Sequence, residues 1–415
     1  MGKDTIQYFL SRILPALASL ALIVIAIRFL GPQEYGQFAL VYAAVMIVNT
    51  LSFGWIRQSI QRFFCSDREN LHLLVNRFFY LTFFSIAAGI LLLSAVLLLV
   101  FSLEIWEILV VVTFFGLYTL FLFHISVHRA REQNRTAAWI ESAYHLFTLG
   151  LFCGIIFGYG FLDYRIIFVS MALSLMVTEI ARLILISRIR EKVEILHLFW
   201  DKRFTSKVIE YGRPMTLWLV LSYTLSVADR FILKFYHGYY TAGVYSAIND
   251  LLLVFVTLIC MPILLAYHPK VIELWNSNHR KEAVTMIREA LSFEILAGLI
   301  IFIAVMVVRE NLYSNFLGIR DKEIHAVTVI LILNALLWQA ILLLQKPMEI
   351  FARKKFKNIA VLITLAINIA GNLIFVPRFG YFASAFSALV SYAIYIVLLF
   401  FLYRRISLQT TDQND

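Results

Sequence analysis

Three charged residues, Arg28, Asp229 and Arg230, interrupt apolar stretches that are long enough to cross a membrane. A charge at the centre of a span costs about 2.5 to 3.5 kcal/mol on the insertion scale, so each one needs a partner, a water-filled cavity or a functional reason. Adjacent helical residues point about 100° apart, so Asp229 and Arg230 cannot both pair within their own helix. We expect one or both to face the interface between two halves of the protein. The alternative is that Arg28 snorkels to the outer membrane surface and Asp229 bonds a neighbouring span.

Arginine at both membrane depths favours an anionic ligand. Arg57 and Arg62 lie where the second predicted span meets the cytoplasm, and Arg28 and Arg230 lie towards the outside. Because guanidinium pairs bidentately with phosphate, these four residues and Asp229 are candidates for substrate binding. Phospholipid headgroups at the inner leaflet attract the same residues, which is the alternative interpretation.

Polar residues one helical turn apart form further candidate pairs. Glu141 and His145 could form either a proton-coupled pair or a hydrogen-bonded packing pair. Glu179 and Arg182 are expected to neutralise each other. Other predicted spans carry amides and carboxylates, and we expect most of the amides to make interhelical hydrogen bonds. These residues are Asn249, Asp250, Glu294, Asn334, Gln339, Asn368 and Asn372.

The sequence lacks the patterns of metal sites, cofactor sites and soluble enzymes. Its cysteines, Cys65, Cys153 and Cys260, form no CxxC pair, and His124 and His128 share a helix face without a third ligand, so no metal is predicted. No P-loop occurs, and the outer loops are too short for a catalytic domain. We therefore expect neither an enzyme nor a cofactor.

The composition predicts an all-α polytopic membrane protein. Of 415 residues, 61% are apolar and 15% are charged, against about 45–50% and about 25% in globular proteins. The apolar runs have the length of about 20 residues that a membrane helix needs. Although the formal charge is +10, no basic domain stands apart from the spans, so nucleic-acid binding is not predicted.

Apolar windows bounded by charge, Gly and Pro predict twelve spans. They begin near residues 6, 36, 78, 105, 137, 163, 210, 239, 288, 323, 357 and 380. About three quarters of the 36 lysines and arginines fall on the side of the two termini, so both termini are predicted to be cytoplasmic.

The two halves of the chain resemble each other. Arg28-Phe29 followed by Gly36 recurs as Arg230-Phe231 followed by Gly243. We therefore predict two parallel six-helix lobes around a central cavity, residues 1–187 and 210–403. An amphipathic linker at the cytoplasmic surface, 188–209, joins them, and 404–415 form a cytoplasmic tail.

Three motifs carry a family resemblance. RFLGPQEYGQFAL at 28–40 resembles the signature of the first two spans in polysaccharide and oligosaccharide flippases, the Wzx-type branch of the multidrug/oligosaccharidyl-lipid/polysaccharide exporter superfamily. Asp229-Arg230-Phe231 with Gly243-Val244-Tyr245-Ser246, and NIAGNLIFVPRFGYFASAFSALVSY at 368–392, are similar to later stretches of that family. Ala383 stands where the pattern usually has a second glycine.

This resemblance implies a flippase in the bacterial inner membrane. Its substrate would be a polyprenyl-diphosphate-linked oligosaccharide repeat unit, moved to the outer leaflet by alternating access for surface polysaccharide synthesis. The implied partners are that lipid-linked glycan, membrane lipids, and a polysaccharide polymerase with its chain-length regulator. The resemblance also implies coupling to an ion gradient, for which Glu141, Asp229, Asp250 and Glu294 are the candidate carboxylates.

Two other functions remain open from the sequence. A drug antiporter of the same superfamily would need a dominant buried carboxylate and little cationic lining, so the arginines of spans 1 and 7 argue against it. A polymerase or glycosyltransferase of the same pathway would need a long outer loop with catalytic residues, and none is visible in the sequence.

Overall fold

The computed structural model describes residues 3–66, 71–160, 162–188, 201–277, 279–319, 322–346 and 354–411. Within these ranges the chain is helical almost throughout and has no strand. The helices are α1 (Lys3–Ser66), α2 (Leu71–Phe101), α3 (Ile105–Ala130), α4 (Asn134–Tyr159), α5 (Arg165–Arg188), α6 (Lys202–Asn276), α7 (Arg280–Asn311), α8 (Lys322–Leu344) and α9 (Lys354–Thr411). A π-helical turn, Leu312–Leu317, follows α7.

Nine helices in the described ranges are long and apolar enough to cross a membrane. This confirms the prediction of an all-α multi-pass membrane protein. Three of them are too long for one crossing: Ile13–Phe64 has 52 residues, Lys202–Trp275 has 74 and Phe356–Phe401 has 46. Even the shortest would extend about 70 Å as a straight helix, roughly twice the hydrocarbon thickness.

Each of the three long helices is kinked at a glycine. Gly31 in α1, Gly238 in α6 and Gly380 in α9 have φ values of 86°, 81° and 54°. Only glycine adopts this backbone region readily, because it has no Cβ to clash with the neighbouring carbonyl. The kinks lie close to 36, 239 and 380, where the sequence predicts new spans to begin.

The predicted linker at 188–209 is only partly described. Residues 189–200 lie outside the described ranges, and from Lys202 onwards the chain is already part of α6. The predicted tail begins as a continuation of α9, which ends at Thr411.

The chain divides into two compact units. Unit 1 comprises Met1–Leu22 and Gln37–Val220, and unit 2 comprises Ile23–Gly36 and Leu221–Asp415. In unit 1, aromatic rings connect helices α1, α3 and α5: Phe168 lies 5.3 Å from Phe38 and 5.6 Å from Phe114, centroid to centroid. Unit 2 contains the candidate site described next.

Candidate functional site

An ion pair between a buried arginine and a partly buried aspartate joins the two segments of α6 in unit 2. Asp229 and Arg230 precede the kink, and both side chains are buried. The Arg230 guanidinium donates from Nη1 to Oδ2 of Asp250 at 3.0 Å and from Nη2 to Oδ1 at 2.5 Å. Because Asp250 lies 20 residues further along, the kink is what allows this bidentate contact. The positive charge of Arg230 is therefore neutralised within its own unit.

The remaining carboxylate oxygens of the pair are also bonded. Asp229 accepts a hydrogen bond from the Tyr245 hydroxyl at 2.6 Å and another from the backbone N–H of Arg230 at 2.9 Å. Asp250 accepts a further bond from the Tyr35 hydroxyl of α1 at 3.1 Å. We call these five residues the Arg230 network. All four of its carboxylate oxygens have a donor, as buried charges require.

Two glycines allow α1 and α6 to approach each other backbone to backbone beside the Arg230 network. A Cβ on Gly36 would lie 2.2 Å from the Tyr239 carbonyl oxygen, and one on Gly243 would lie 1.8 Å from the Pro32 carbonyl oxygen. No larger residue fits without separating the helices. Gly36 and Gly243 occupy equivalent positions in the two similar halves of the sequence. In the structure they contact each other.

The other three predicted substrate-binding arginines are exposed. Arg28, in unit 2, lies against the turn at Gly318, whose added Cβ would be 2.9 Å from Nη1. In unit 1, Arg57 is exposed on α1, and the Arg62 guanidinium lies 4.5 Å from the centre of the Tyr211 ring. Among the described residues, no carboxylate forms an ion pair with any of these three guanidiniums. The role of all four arginines and of Asp229 in substrate binding stays a prediction.

The proposed pairing of Glu141 with His145 does not form. Arg129 holds Glu141 instead, with its Nη2 at 2.6 and 2.7 Å from the two carboxylate oxygens. His145 lies 3.3 Å from the Ser19 hydroxyl through Nδ1. The i,i+4 spacing of Glu141 and His145 permits a contact within α4. The guanidinium of Arg129, near the end of the preceding helix α3, is nevertheless the stronger partner for a carboxylate.

The predicted pair of Glu179 and Arg182 is confirmed, and a third residue joins it. Arg182 Nε and His124 Nδ1 both lie 2.9 Å from Oε2 of Glu179. His128 turns instead to Gln133, at 2.7 Å. Within the described part of the chain no three metal-ligating side chains cluster.

Two amides make the interhelical hydrogen bonds that the sequence predicts. Asn334 of α8 donates to the Ala385 carbonyl oxygen of α9 at 2.9 Å, and Gln339 of α8 donates to the Thr257 hydroxyl of α6 at 2.9 Å. Asn372 donates to the Asn368 carbonyl oxygen at 2.8 Å within its own helix segment, and its Oδ1 accepts from the Ser384 hydroxyl beyond the kink of α9 at 2.9 Å.

Glu294 on α7 differs from every other candidate carboxylate. Its side chain is buried, with the residue 5% exposed. Neither carboxylate oxygen has a hydrogen-bond partner among the residues that the structure describes. Asp229, Asp250 and Glu141 are all bonded, so Glu294 is the one buried candidate without a donor.

Sequence reasoning did not assign a role to the tyrosines of the Arg230 network. Tyr35 and Tyr245 stand inside the motifs that carry the family resemblance, next to Gly36 and close to Gly243. Their position beside these glycines is the signal that places them at the network. The contact between Arg129 and Glu141 is likewise not predicted from the sequence.

Comparison with known proteins identifies the family. Residues 1–275 match the family described as polysaccharide biosynthesis protein. The chain belongs to this family. No curated protein matches the sequence.

Solved structures show which fold this family member has. It is similar to a multidrug resistance MATE family transporter of the MOP superfamily in an inward-facing conformation, with TM-score 0.71, 12% identity and 96% of each chain covered. It is also similar to the lipid II flippase MurJ in an inward closed conformation, with TM-score 0.69, 15% identity, and 96% of this chain and 87% of that chain covered. A MOP superfamily transporter from Pyrococcus furiosus gives TM-score 0.67 at 14% identity, with 97% and 94% covered. The fold is that of MOP superfamily transporters.

Proposed function

We propose that this protein is a flippase that moves polyprenyl-diphosphate-linked oligosaccharide repeat units from the inner to the outer leaflet of a bacterial inner membrane. Surface polysaccharide synthesis would use the exported units. The observation that carries the proposal is the match to the polysaccharide biosynthesis family in a chain with a transporter fold. Within such a pathway, a bundle of membrane helices suits the step in which a lipid-linked glycan changes leaflet.

The described residues include charged groups that could bind the polar part of such a substrate. A glycan with a diphosphate cannot enter hydrocarbon, where each unsatisfied polar group costs several kcal/mol. Exposed guanidiniums pair with phosphate oxygens, and Arg28, Arg57 and Arg62 are exposed. We assign diphosphate binding to each of these residues separately, to Arg57 and Arg62 in unit 1 and to Arg28 in unit 2. Arg230 reaches substrate only if Asp250 releases it, so its main role is to hold the kinked α6.

Twelve crossing segments support alternating access by two six-helix lobes. Dividing each of the three kinked helices at its glycine turns the nine apolar helices of the described ranges into twelve segments. With an even number of spans both termini would lie on one side of the membrane, and the distribution of basic residues predicts that this side is the cytoplasm. In this proposal the lobes, 1–187 and 210–403, rock to expose the substrate to either side.

A drug antiporter is the second candidate, because the MATE transporters share this fold at 12 to 13% identity. That function would need no polysaccharide pathway. A membrane enzyme of the pathway is disfavoured by family and fold, both of which indicate a transporter. Contacts with a polymerase and a chain-length regulator remain part of the flippase proposal.

Deletion of the gene in its native host separates these functions. Membrane extracts are assayed for the lipid-linked oligosaccharide, and intact spheroplasts are treated with an impermeant sugar-modifying reagent. A flippase predicts complete repeat units that accumulate, stay inaccessible to the reagent and are not polymerised. Accessible or incomplete units would instead indicate an enzyme, and an unchanged glycan pool would indicate drug export.

A further inference from the structure

A row of aromatic rings connects α1 with α3 in unit 1. On α1 the rings of Phe38 and Tyr42 lie 5.4 Å apart, centroid to centroid. The Tyr42 ring lies 6.3 Å from that of Phe114 on α3, and the Phe114 ring lies 5.4 Å from that of Tyr118. These distances are typical of favourable contacts between aromatic side chains. The four rings therefore form one continuous row.

The phenylalanines and the tyrosines of this row differ in exposure. Phe38 and Phe114 are 5% and 0% exposed, and both pack against Phe168 of α5. Tyr42 and Tyr118 are half-buried. The row thus reaches the surface of unit 1 through its two tyrosines, and each of them brings a hydroxyl group there. Packing of α1 on α3 alone does not require these hydroxyls, because a polar group against hydrocarbon costs free energy.

Charged groups lie beside Tyr118. Its hydroxyl is within electrostatic range of the Arg57 guanidinium and of the Glu141 carboxylate. Arg129 binds Glu141, and the side chains of this pair are 24% and 22% exposed. Arg57 is exposed, and no carboxylate in the described ranges forms an ion pair with it. Because charged groups do not face hydrocarbon without a large cost, water rather than lipid covers this side of unit 1.

Helix register places Arg57 and Tyr42 on the same side of α1. Arg57 follows Tyr42 by 15 residues, which is about 60° around the helix and about 22 Å along it. Between them, Asn49 donates to the Thr119 hydroxyl at 2.7 Å and so holds α1 beside α3 next to Tyr118. We call five residues of unit 1 the polar strip: Tyr42, Arg57, Tyr118, Arg129 and Glu141.

The polar strip offers both kinds of contact that a sugar ring makes. A pyranose has apolar C–H faces, which stack on aromatic rings because the face of such a ring carries partial negative charge. The edge of a pyranose carries hydroxyl groups, which donate and accept hydrogen bonds. Tyrosine supplies a ring together with a hydroxyl that does both, Arg57 supplies donors and Glu141 supplies acceptors.

Other classes of ligand fit the polar strip less well. A cationic drug would meet the exposed guanidinium of Arg57, and the carboxylate of the strip already holds Arg129. A lipid chain would leave the hydroxyls and charges without hydrogen-bond partners. A phosphate group by itself would use Arg57 but not the tyrosine rings. A glycan that carries a phosphate uses all of these groups.

We propose that the polar strip binds the sugar rings of the transported glycan while Arg57 binds its diphosphate. This deepens the proposed function and rests on it. Arg57 lies where the second predicted span meets the cytoplasm, and Tyr42 lies about 22 Å further along α1 towards the predicted outer side. A substrate whose lipid is held in the inner leaflet would extend its sugars from Arg57 past Tyr118 towards Tyr42. Recognition of the glycan then depends on the two tyrosines.

Binding of two probes to the purified full-length protein in detergent tests this sugar site. One probe is the lipid-linked oligosaccharide from the native host, and the other is polyprenyl diphosphate without sugar. Wild type should bind the first probe more tightly. Tyr118→Leu should weaken binding of the glycan-bearing probe by about tenfold, the effect of one aromatic contact, and leave the sugar-free probe unchanged. Arg57→Met should weaken both probes, because both carry the diphosphate.

Conservative and control variants keep the test decisive. Tyr118→Phe and Tyr42→Phe retain the rings, so each should fold and weaken the glycan-bearing probe by only about threefold. Tyr80→Leu changes another half-buried tyrosine of unit 1, whose ring lies 4.7 Å from that of Phe84, and should affect neither probe. Thermal unfolding confirms that each variant is folded. Equal weakening of both probes by the tyrosine variants, or no weakening of the glycan-bearing probe, would overturn the sugar site.

Transport in liposomes separates failure of the sugar site from failure of the flippase. If wild type prefers the glycan-bearing probe but leaves the glycan divided between the leaflets, the flippase is refuted and the sugar site stands. If wild type exchanges the whole pool but binds both probes equally, the flippase stands and the sugar site is refuted.

Discussion

Two acidic regions of unit 2 differ in whether their carboxylate oxygens have hydrogen-bond donors. In the Arg230 network every carboxylate oxygen has a donor, and the network connects α1 with both segments of α6. At Glu294 the carboxylate has no donor within the described residues, and the contacts one turn before and one turn after it on α7 are made by alanine, glycine and leucine. Both regions place acid in a membrane protein interior, yet only one supplies it with hydrogen-bond donors.

This difference separates an acid that anchors helices from one that does not. An acid bonded to arginine releases its partner only at a large cost, so it anchors the helices that carry it. An acid without a hydrogen-bond donor holds no neighbouring helix in place, so replacing it should disturb the packing less.

The largest expected effect comes from removing the guanidinium of the Arg230 network. Arg230→Met removes the positive charge beside the buried Asp229 and the partly buried Asp250, so the free energy of unfolding in detergent should fall by about 3 to 5 kcal/mol. The double variant Arg230→Met with Asp250→Leu should recover much of this loss. Arg28→Met, which removes an exposed guanidinium, should change stability by less than about 0.5 kcal/mol. Equal effects of Arg230→Met and Arg28→Met would contradict the anchoring role.

A smaller but specific effect is expected at the glycines of the two regions. Gly243→Ala places a Cβ 1.8 Å from a backbone oxygen, so the helices must separate, at about 1 to 3 kcal/mol. Gly298→Ala, near Glu294, meets only the end of the Leu336 side chain, which can turn away. Its cost should be under about 1 kcal/mol. Gly150→Ala, with nothing within 4 Å, serves as the control for the substitution itself. Thermal unfolding in detergent ranks the three variants, and the reverse order would show that the backbone contact is not tight.

The two tyrosines of the Arg230 network should differ. Tyr245→Phe removes the donor to the fully enclosed Asp229 and should cost about 1 to 3 kcal/mol in the free energy of unfolding. Tyr35→Phe leaves Asp250 with both of its arginine bonds and with a side chain that is 25% exposed. Its cost should stay near about 0.5 to 1.5 kcal/mol. Detergent unfolding of the two variants in parallel measures the difference, and a larger loss in Tyr35→Phe would mean that the network centres on Asp250.

The smallest effect on stability is expected at Glu294. Glu294→Gln replaces a buried carboxyl group that has no hydrogen-bond donor among the described residues by an amide of nearly the same shape, so the free energy of unfolding should change by less than about 0.5 kcal/mol. A matched Asp229→Asn variant should lose more, because the amide brings a new donor into a fully bonded network. Strong destabilisation by Glu294→Gln would show that the carboxylate has an ionic partner after all.

The sequence predicts the membrane helices well. A hydrocarbon core of about 30 Å fixes the minimum length and the apolar composition of each span, and both are apparent in the sequence. Even the kinks at Gly238 and Gly380 fall where new spans are predicted. The sequence also selects Asp229, Arg230, Asp250 and Glu294, because charge is rare in such segments.

Partners of these residues could not be predicted, because they depend on long-range packing. Tyr35 reaches Asp250 over 215 residues of chain, and no local spacing encodes that distance. Local spacing even misled at Glu141, where i,i+4 proximity to His145 gave way to Arg129 across a turn. The sequence also does not show which acid lacks a hydrogen-bond donor, because this depends on how three helices pack around Glu294.

The central claim is tested most directly by reconstituting the purified protein in liposomes with lipid-linked oligosaccharide from its native host. An impermeant sugar-modifying reagent then reports which molecules face outward. The account predicts that the reagent modifies only the outer-leaflet pool in protein-free liposomes, and the entire pool over time when the protein is present. A pool that stays divided between the leaflets in the presence of folded protein would contradict the flippase.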